Sequence, residues 1–325
     1  MLFRHLAAAA LTVLTALAGS TPAWSQDKFP SKPIHIVVPF PPGGGVDVLA
    51  RLMAERMGSQ LGVNVVVENR AGASGTIGGQ YVRQSAPDGY TVLFSSNTHT
   101  MSRLVMAAAP YDPIGDFTPI ARVGEAPLLM VMANRLPQKT LREVAAAAKA
   151  DPKSWTAGTP ALGSPSHLAT LTLNRLTGAN ITIAPYKGTA PALNDVVGGH
   201  IEMLIDAMVV LLPQVKAGRV QGIAVTSAKR ASIAPEIPTS AEAGLPGLNV
   251  VAWYGMWGPK GMPASIVSTL NSAANAALKE IAASGGLAKL GVEPTGGTPE
   301  DFAKHQAAEV QRNSELLSYA KFEPQ

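Results

Sequence analysis

The sequence contains no cysteine, and only 15% of its 325 residues are charged. Without cysteine no disulfide can hold the fold together, so its stability must come from a buried core. No run of lysine and arginine exceeds two residues, and the formal net charge is only +4. This weak, dispersed excess of positive charge excludes nucleic acid as a partner and suits a protein that binds small anions.

The N-terminal segment has the features of a secretory signal peptide. Arg4 gives a basic start, residues 6–18 are apolar except for two threonines, and small residues precede a cleavage site after Ser25. The alternative, a buried helix of the fold, lacks a capping residue before Leu6. The apolar run is shorter than the roughly 20 residues that span a bilayer. We therefore assign residues 1–25 as the signal and expect a soluble periplasmic protein.

Removal of this segment, which carries one arginine and no acid, leaves 300 residues with a formal charge of +3. That length allows a sizeable core and two domains. Short β-rich runs alternate with helical patterns along the chain, which predicts an α/β fold with parallel sheets flanked by helices on both faces. The predicted strands are residues 34–40, 63–68, 90–95, 128–133, 155–158, 181–185, 201–206 and 220–226. The predicted helices are residues 46–62, 140–149, 166–177, one that follows Thr189 with Pro191 in its first turn, 263–283 and 299–319.

Hydroxyl side chains stand at the start of several predicted helices. Thr140 and Glu143 have the spacing of a capping box, and Thr189 and Thr298 are predicted as N-caps. No flexible linker separates two domains. The chain is therefore expected to cross between them on extended segments, with residues 124–132 and 248–259 as the candidates.

The strongest candidate for a binding site is the run PFPPGGGVD at residues 39–47. A strand ends there and a helix begins, and the first amides of a helix lack internal partners at the positive end of its dipole. The glycines let a ligand approach the backbone closely, and Asp47 can cap or tie down the loop. An ordinary tight turn between strand and helix is the alternative interpretation.

Polar residues also follow other predicted strands, at residues 95–99, 158–167 and 186–189, and Asp206 ends a further strand. Ligands of open parallel sheets gather at the carboxyl ends of strands. These positions offer mainly hydroxyls, amides and backbone N–H groups, which favours hydrogen-bonded capture over catalysis. For any single Ser/Thr cluster, helix capping is the competing interpretation.

Enzyme signatures are absent from the sequence. It has no G-x-S-x-G motif, and the run GASGTIG at residues 72–78 matches neither nucleotide-binding fingerprint. The histidines that follow the signal are scattered without metal-ligand spacing, although His99 and His167 lie in loops that can touch a ligand. We therefore predict no catalytic residue, no metal and no cofactor.

Several runs together resemble the Bug-type proteins, the periplasmic solute receptors of tripartite tricarboxylate transporters. These runs are residues 29–47, VENRAGA at 67–73, APDGY at 86–90, GSPSHLA at 163–169, PYKGTAPAL at 185–193 and GGHI at 198–201. They occur in order over essentially the whole chain after the signal, which makes the resemblance more specific than any single motif.

The resemblance implies a type II-like periplasmic binding fold, with parallel-rich sheets flanked by helices, two lobes and two crossovers between them. The lobes are predicted as residues 26–124 plus 249–325, and residues 125–248. It also implies a monomer that binds a di- or tricarboxylate, acidic amino acid or aromatic acid, and a two-subunit membrane permease as partner. An enzyme such as a hydrolase acting on a carboxylic acid, and a receptor that presents its ligand to a membrane sensor, stay open as alternatives.

The predicted ligand-binding residues lie in the four loops and the strand end described above. They are Phe40, Pro42, Gly43, Gly44, Gly45, Asp47, Ser96, Asn97, Thr98, Thr159, Ser164, Ser166, His167, Tyr186, Thr189 and Asp206.

Overall fold

The computed structural model describes residues 28–325. This part of the chain contains ten strands and ten α-helices, joined by loops and turns. The predicted signal peptide, residues 1–25, lies outside the described residues. The strands are β1 (Ile34–Val38), β2 (Val65–Asn69), β3 (Thr91–Ser96), β4 (Phe117–Ala133), β5 (Thr156–Thr159), β6 (Thr182–Pro185), β7 (Met203–Ala207), β8 (Val220–Val225), β9 (Val251–Pro259) and β10 (Glu293–Pro294).

The helices lie between the strands and at the end of the chain. They are α1 (Gly45–Leu61), α2 (Thr76–Arg83), α3 (Ser102–Val105), α4 (Leu141–Ala150), α5 (Pro165–Thr177), α6 (Thr189–Gly198), α7 (Met208–Lys216), α8 (Ala264–Ala283), α9 (Gly286–Lys289) and α10 (Pro299–Tyr319).

The strands form two sheet segments that share β4. The first segment has the order β2-β1-β3-β9-β4, with β10 on the far side of β4; the second has the order β6-β5-β7-β4, with β8 on its far side. Residues 117–127 of β4 pair with β9, and residues 128–133 pair with β7 and β8. One continuous strand therefore joins the two segments.

The pairing is mixed, which differs from the expectation of parallel sheets. Strands β1, β2 and β3 are parallel, as are β5, β6 and β7, but every neighbour of β4 runs antiparallel to it. The parallel strands are those connected through helices, as a parallel crossover requires. Strand β9 returns late in the chain and inserts between β3 and β4, antiparallel to both.

Strand β1 illustrates why the parallel core forms. All its residues except His35 are almost wholly buried, and it pairs with β2 on one side and β3 on the other. A continuous apolar run of this kind is typical of a strand covered on both faces. On β9, Trp253 and Trp257 are buried against Phe302 of α10.

Several predicted helix ends are confirmed. Gly62 ends α1 in the left-handed conformation, with φ of 69°, and Thr140 with Glu143 forms the predicted capping box of α4. Thr298 caps α10 by accepting from the Asp301 amide. The N-cap prediction for Thr189 is wrong: Gly188 occupies the N-cap of α6, and Thr189 is the first helical residue.

Two elements differ more strongly from the sequence prediction. Strand β4 begins at Phe117, well before the predicted residue 128, because its first part pairs with β9. Helix α7 follows Asp206 although no helix is predicted there, since its apolar start is typical of a strand and Pro213 lies within it.

Residues 32–325 form one compact unit, and the described residues 28–31, which contain no helix or strand, fall outside it. Within the described part of the chain, no helix is both long and apolar enough to cross a membrane.

Candidate functional site

A cavity of about 180 Å³ lies where the ends of several strands meet the starts of four helices. The N-cap residues of α1, α5, α6 and α7 all line it: Gly44, Ser164, Gly188 and Ala207. The first amides of each helix lack an acceptor within the helix and carry partial positive charge. The positive ends of four helix dipoles therefore meet at one cavity, which is an arrangement that stabilises an anion.

The start of α1 contributes the glycine loop. Gly44 has an extended backbone, with φ of −76°, and the amides of Gly45, Val46 and Asp47 follow it in the first helical turn. A Cβ built on Gly44 would lie 3.9 Å from the Pro41 carbonyl oxygen and 4.0 Å from Thr189 Oγ1. The protein thus has room for a methyl group at Gly44, and that methyl group would project into the cavity.

Gly45 is a glycine for a different reason. A Cβ on Gly45 would come within 2.8 Å of the Ala207 Cβ and 3.4 Å of the Tyr254 hydroxyl. A separation of 2.8 Å between two carbon atoms is well inside van der Waals contact. The missing side chain therefore lets the start of α1 pack closely against the end of β7.

Asp47 holds the glycine loop in place instead of lining the cavity. Its carboxylate accepts hydrogen bonds from the Gly43 amide (2.9 Å), Asn69 Nδ2 (2.8 Å) and Arg51 Nε (3.1 Å). Burial by itself would raise the pKa of Asp47, but these bonds and the charge of Arg51 outweigh burial and lower that pKa. The Gly43 amide is consequently engaged by Asp47, which leaves the amides from Gly44 onward to face a ligand.

The loop after β3 places alternate residues on opposite sides. Ser96 and Thr98 line the cavity, and their hydroxyl oxygens lie 2.8 Å apart. Asn97 lies outside the cavity lining. Its backbone N–H donates to the Trp253 carbonyl oxygen, and the residue lines a second cavity instead.

The loop before α5 is organised by Ser164, whose Oγ accepts from the His167 amide at 3.2 Å. Thr159 Oγ1 lies 2.9 Å from Ser164 Oγ and donates to the Ala161 carbonyl oxygen. Because the only hydroxyl proton of Thr159 is used in that bond, Ser164 must donate its own proton to Thr159. Ser164 therefore lines the cavity as a helix cap whose proton is already engaged.

Two other predicted residues of this loop lie away from the cavity. His167 accepts from the Gly163 amide through Nδ1 at 3.1 Å and packs against Phe322. Burial lowers the pKa of His167 to about 4, so the ring is neutral at physiological pH. Ser166 is fully buried, and its hydroxyl has no hydrogen-bond partner among the described residues.

Asp206 is the acidic residue of the cavity lining. Its carboxyl group accepts a 2.7 Å hydrogen bond from Thr189 Oγ1, which explains why Thr189 does not cap α6. Burial raises the pKa of Asp206 to about 6, although the bonds from Thr189 and the Ala207 amide oppose the rise. Nearby Tyr254 keeps its proton, because burial and the charge of Asp206 raise the pKa of its phenol.

The structure brings together most of the predicted site. Phe40, Pro42, Gly43, Gly44, Gly45, Ser96, Thr98, Ser164, Thr189 and Asp206 line the cavity, whereas Asp47, Asn97, Thr159, Ser166, His167 and Tyr186 lie outside its lining. The Tyr186 hydroxyl donates instead to Asp195 at 2.6 Å. The next residue, Lys187, does line the cavity and is the basic residue of its lining.

Thirteen further residues line the cavity but were not among the predicted ligand-binding residues. They are Pro41, Val46, Leu128, Pro160, Pro165, Lys187, Gly188, Ala190, Pro191, Ala207, Val210, Ala252 and Tyr254. Pro41, Val46, Pro160, Pro165, Lys187 and Gly188 fall inside the predicted loops. Leu128, Ala252 and Tyr254 come from β4 and β9, which no local motif connects to the glycine loop.

Comparison with known proteins assigns this architecture to a family. The profile described as "Tripartite tricarboxylate transporter family receptor" matches residues 49–321. The chain belongs to this family. Within it, the chain is 37% identical over 306 residues to Protein BugT of Bordetella pertussis, with 94% of each chain covered. It is 36% identical to a "UPF0065 protein in tcbD-tcbE intergenic region" of a Pseudomonas strain, covering 97% of this chain and 93% of the relative.

Solved structures of similar proteins confirm the periplasmic binding fold. The periplasmic binding protein BugD aligns with a TM-score of 0.85 and 34% identity, over 91% of this chain and 100% of BugD. The R. palustris protein Rpa4515, solved with adipate, aligns with a TM-score of 0.87 and 36% identity over the same shares. MatC from Rhodopseudomonas palustris, solved with bound malate, gives 0.82 and 33%, over 89% of this chain and 100% of MatC.

These similarities confirm the predicted Bug-type family and its α/β receptor fold. The family and these structural neighbours are receptors and binding proteins, not enzymes. Within residues 28–325, no group of three or more histidine, aspartate or glutamate side chains is arranged to hold a metal ion.

Proposed function

We propose that this member of the tricarboxylate receptor family is a periplasmic receptor that binds a small carboxylate in the cavity and releases it unchanged. The convergence of four helix N-termini on one cavity carries the proposal, because the positive ends of their dipoles all favour an anion there. Adipate and malate in the two R. palustris structures support the same class of ligand.

The size of the cavity favours a short acid. Its volume of about 180 Å³ is below the roughly 300–1,000 Å³ typical of sites for drug-sized ligands. The walls add apolar contacts from Phe40, Leu128 and Val210 beside the polar loops. A short aliphatic chain between two carboxyl groups, or between one carboxyl group and a hydroxyl group, fits this division between polar ends and apolar walls.

We also propose that the ligand is held between two lobes that close on it, and that a two-subunit permease receives it. The predicted lobes are residues 26–124 plus 249–325, and residues 125–248. The predicted crossovers contain the paired stretches of β4 and β9, where Ala126 is opposite Ala252 and Pro127 is opposite Val251. Two adjacent strands at the junction form a narrow connection about which rigid lobes can rotate.

The test is titration calorimetry of the purified protein with malate, adipate, succinate, citrate and glutamate, together with the neutral diamide of adipic acid. We expect at least one acid to bind saturably with a stoichiometry of one and the diamide not to bind. NMR of the recovered acid should show it unchanged. Binding of the diamide as tightly as adipate would contradict anion capture, and conversion of the acid would favour the hydrolase alternative.

A further inference from the structure

A second cavity lies behind the strands that form the floor of the first. We call it the rear cavity; its volume is about 280 Å³. Tyr254 lines the first cavity and its neighbour Trp253 lines the rear cavity, as expected because successive side chains of a strand point to opposite faces. Asn97 likewise faces the rear cavity, between Ser96 and Thr98 of the first cavity. The rear cavity is therefore distinct from the proposed carboxylate site.

The rear cavity contains buried polar atoms that the rest of the described chain leaves without a hydrogen-bond partner. They are Asn97 Oδ1, Arg122 Nε, His305 Nε2 and Asn313 Nδ2. The side chains of Asn97 and Asn313 are almost completely buried, with 1% and 8% of each residue exposed. A buried polar group without a partner destabilises the fold, because it has given up its hydrogen bonds to water. Several such groups around one cavity indicate a site that a polar ligand satisfies.

The charges of the lining favour an anion. Arg122 pairs with Glu125 at 2.6 Å, and Arg312 pairs with Glu309, which also accepts from Trp253 Nε1 at 3.3 Å. Arg175 lines the same cavity and has no ion-pair partner among the described residues.

His305 adds no charge at neutral pH, because burial and the nearby charges of Arg122 and Arg312 lower its pKa to about 4. Three arginines against two glutamates thus give the lining a net positive charge. The unpartnered nitrogen of Arg122 and the amide of Asn313 supply N–H donors in addition to this charge.

We propose that the rear cavity binds a small oxyanion of the phosphate type. Arginine forms directed hydrogen bonds to phosphate oxygens. In this site Arg122 Nε and Asn313 Nδ2 donate to the anion, and Arg312 contributes charge at the rim, where its side chain is 71% exposed. A proton on the anion can be donated to Asn97 Oδ1. Helices α5 and α10 both contribute to the lining, so the bound anion would bridge them.

The test measures thermal unfolding and calorimetric binding of inorganic phosphate by the full protein without carboxylate. We expect a saturable rise in melting temperature with phosphate in the parent. Asn313→Leu should raise the melting temperature without phosphate, since it replaces a buried unsatisfied amide, and should weaken phosphate binding at least about tenfold. Arg312→Gln should weaken phosphate binding as well, whereas Arg56→Gln removes the same charge on α1, outside the rear cavity, and should not.

Gly44→Ala separates this proposal from the carboxylate site, because its methyl group enters the first cavity only. Phosphate binding should be retained in Gly44→Ala even where carboxylate binding is lost. The proposal is overturned if phosphate produces no saturable effect on the parent, if Asn313→Leu and Arg312→Gln bind phosphate as the parent does, or if Gly44→Ala abolishes phosphate binding. Sulfate and malate as alternative titrants identify which oxyanion the rear cavity prefers.

Discussion

Replacing Asp206 by asparagine should stabilise the ligand-free protein at high pH but not at low pH. Burial raises the pKa of Asp206 from 3.8 to about 6, a shift of about two units, and each unit corresponds to 1.36 kcal/mol. The folded state therefore holds the proton more tightly than the unfolded state. The contribution of Asp206 to the free energy of unfolding is greatest below about pH 4 and falls, by roughly 3 kcal/mol in all, as the pH rises through 6.

Asparagine has the shape of aspartate and no titratable proton, and its side-chain oxygen can still accept from Thr189. The free energy of unfolding is measured by urea denaturation at intervals from pH 4 to pH 8. As the pH rises, the value for Asp206→Asn should increasingly exceed that of the parent. Asp151→Asn, an exposed aspartate, serves as the control and should show no such divergence. A difference between Asp206→Asn and the parent that is the same at pH 4 and pH 8 would refute the assignment of a buried, destabilised carboxylate.

Three further predictions test the loops and the hinge. Ser164→Ala removes the α5 cap and should lower the free energy of unfolding by about 1 kcal/mol. Ser166→Ala removes an unpartnered buried hydroxyl and should not lower it. If urea denaturation shows that both variants lose the same free energy of unfolding, these assignments are wrong. Asp47→Asn weakens the bond to Arg51 and should destabilise the fold at pH 7, and the effect should fade in acid as the parent carboxylate protonates. Small-angle X-ray scattering should give a smaller radius of gyration with a saturating acid, and an unchanged radius would count against lobe closure.

The sequence predicts the glycine loop and the strand ends well because local chemistry determines them. Proline and glycine at residues 41–45 impose a turn, and an aspartate follows in the first turn of the helix, where its carboxylate can accept from loop amides. Capping serines and threonines are likewise recognisable from their spacing, as Thr140 and Thr298 show. These local signals predict ten of the 23 residues that line the cavity.

The direction of a side chain and the pairing of distant strands cannot be predicted from local sequence patterns in the same way. Thr189 resembles a cap, but its hydroxyl donates to Asp206, which is brought near only by the tertiary fold. Tyr254 lines the cavity because β9 inserts between β3 and β4, and no local pattern indicates that pairing. Tyr186 belongs to a correctly predicted loop, yet its hydroxyl turns to Asp195 on α6.

The most direct test of carboxylate capture is the affinity of Gly44→Ala for malate and adipate, measured by titration calorimetry beside the parent. Gly44 has a backbone conformation that alanine adopts freely, and its new methyl group would meet no protein atom closer than 3.9 Å. The variant should therefore melt within a few degrees of the parent. Its methyl group occupies the space in front of the helix amides, so it should bind each accepted acid at least about tenfold more weakly, a loss of about 1.4 kcal/mol.

Gly62→Ala at the other end of α1 is the matched control. Gly62 has φ of +69° and open space around it, so alanine there should lower stability by about 1 kcal/mol through backbone strain and leave affinity unchanged. The account predicts loss of affinity without loss of stability for Gly44→Ala, and the reverse for Gly62→Ala. Parental affinity in Gly44→Ala would contradict the central claim that the start of α1 holds the carboxylate.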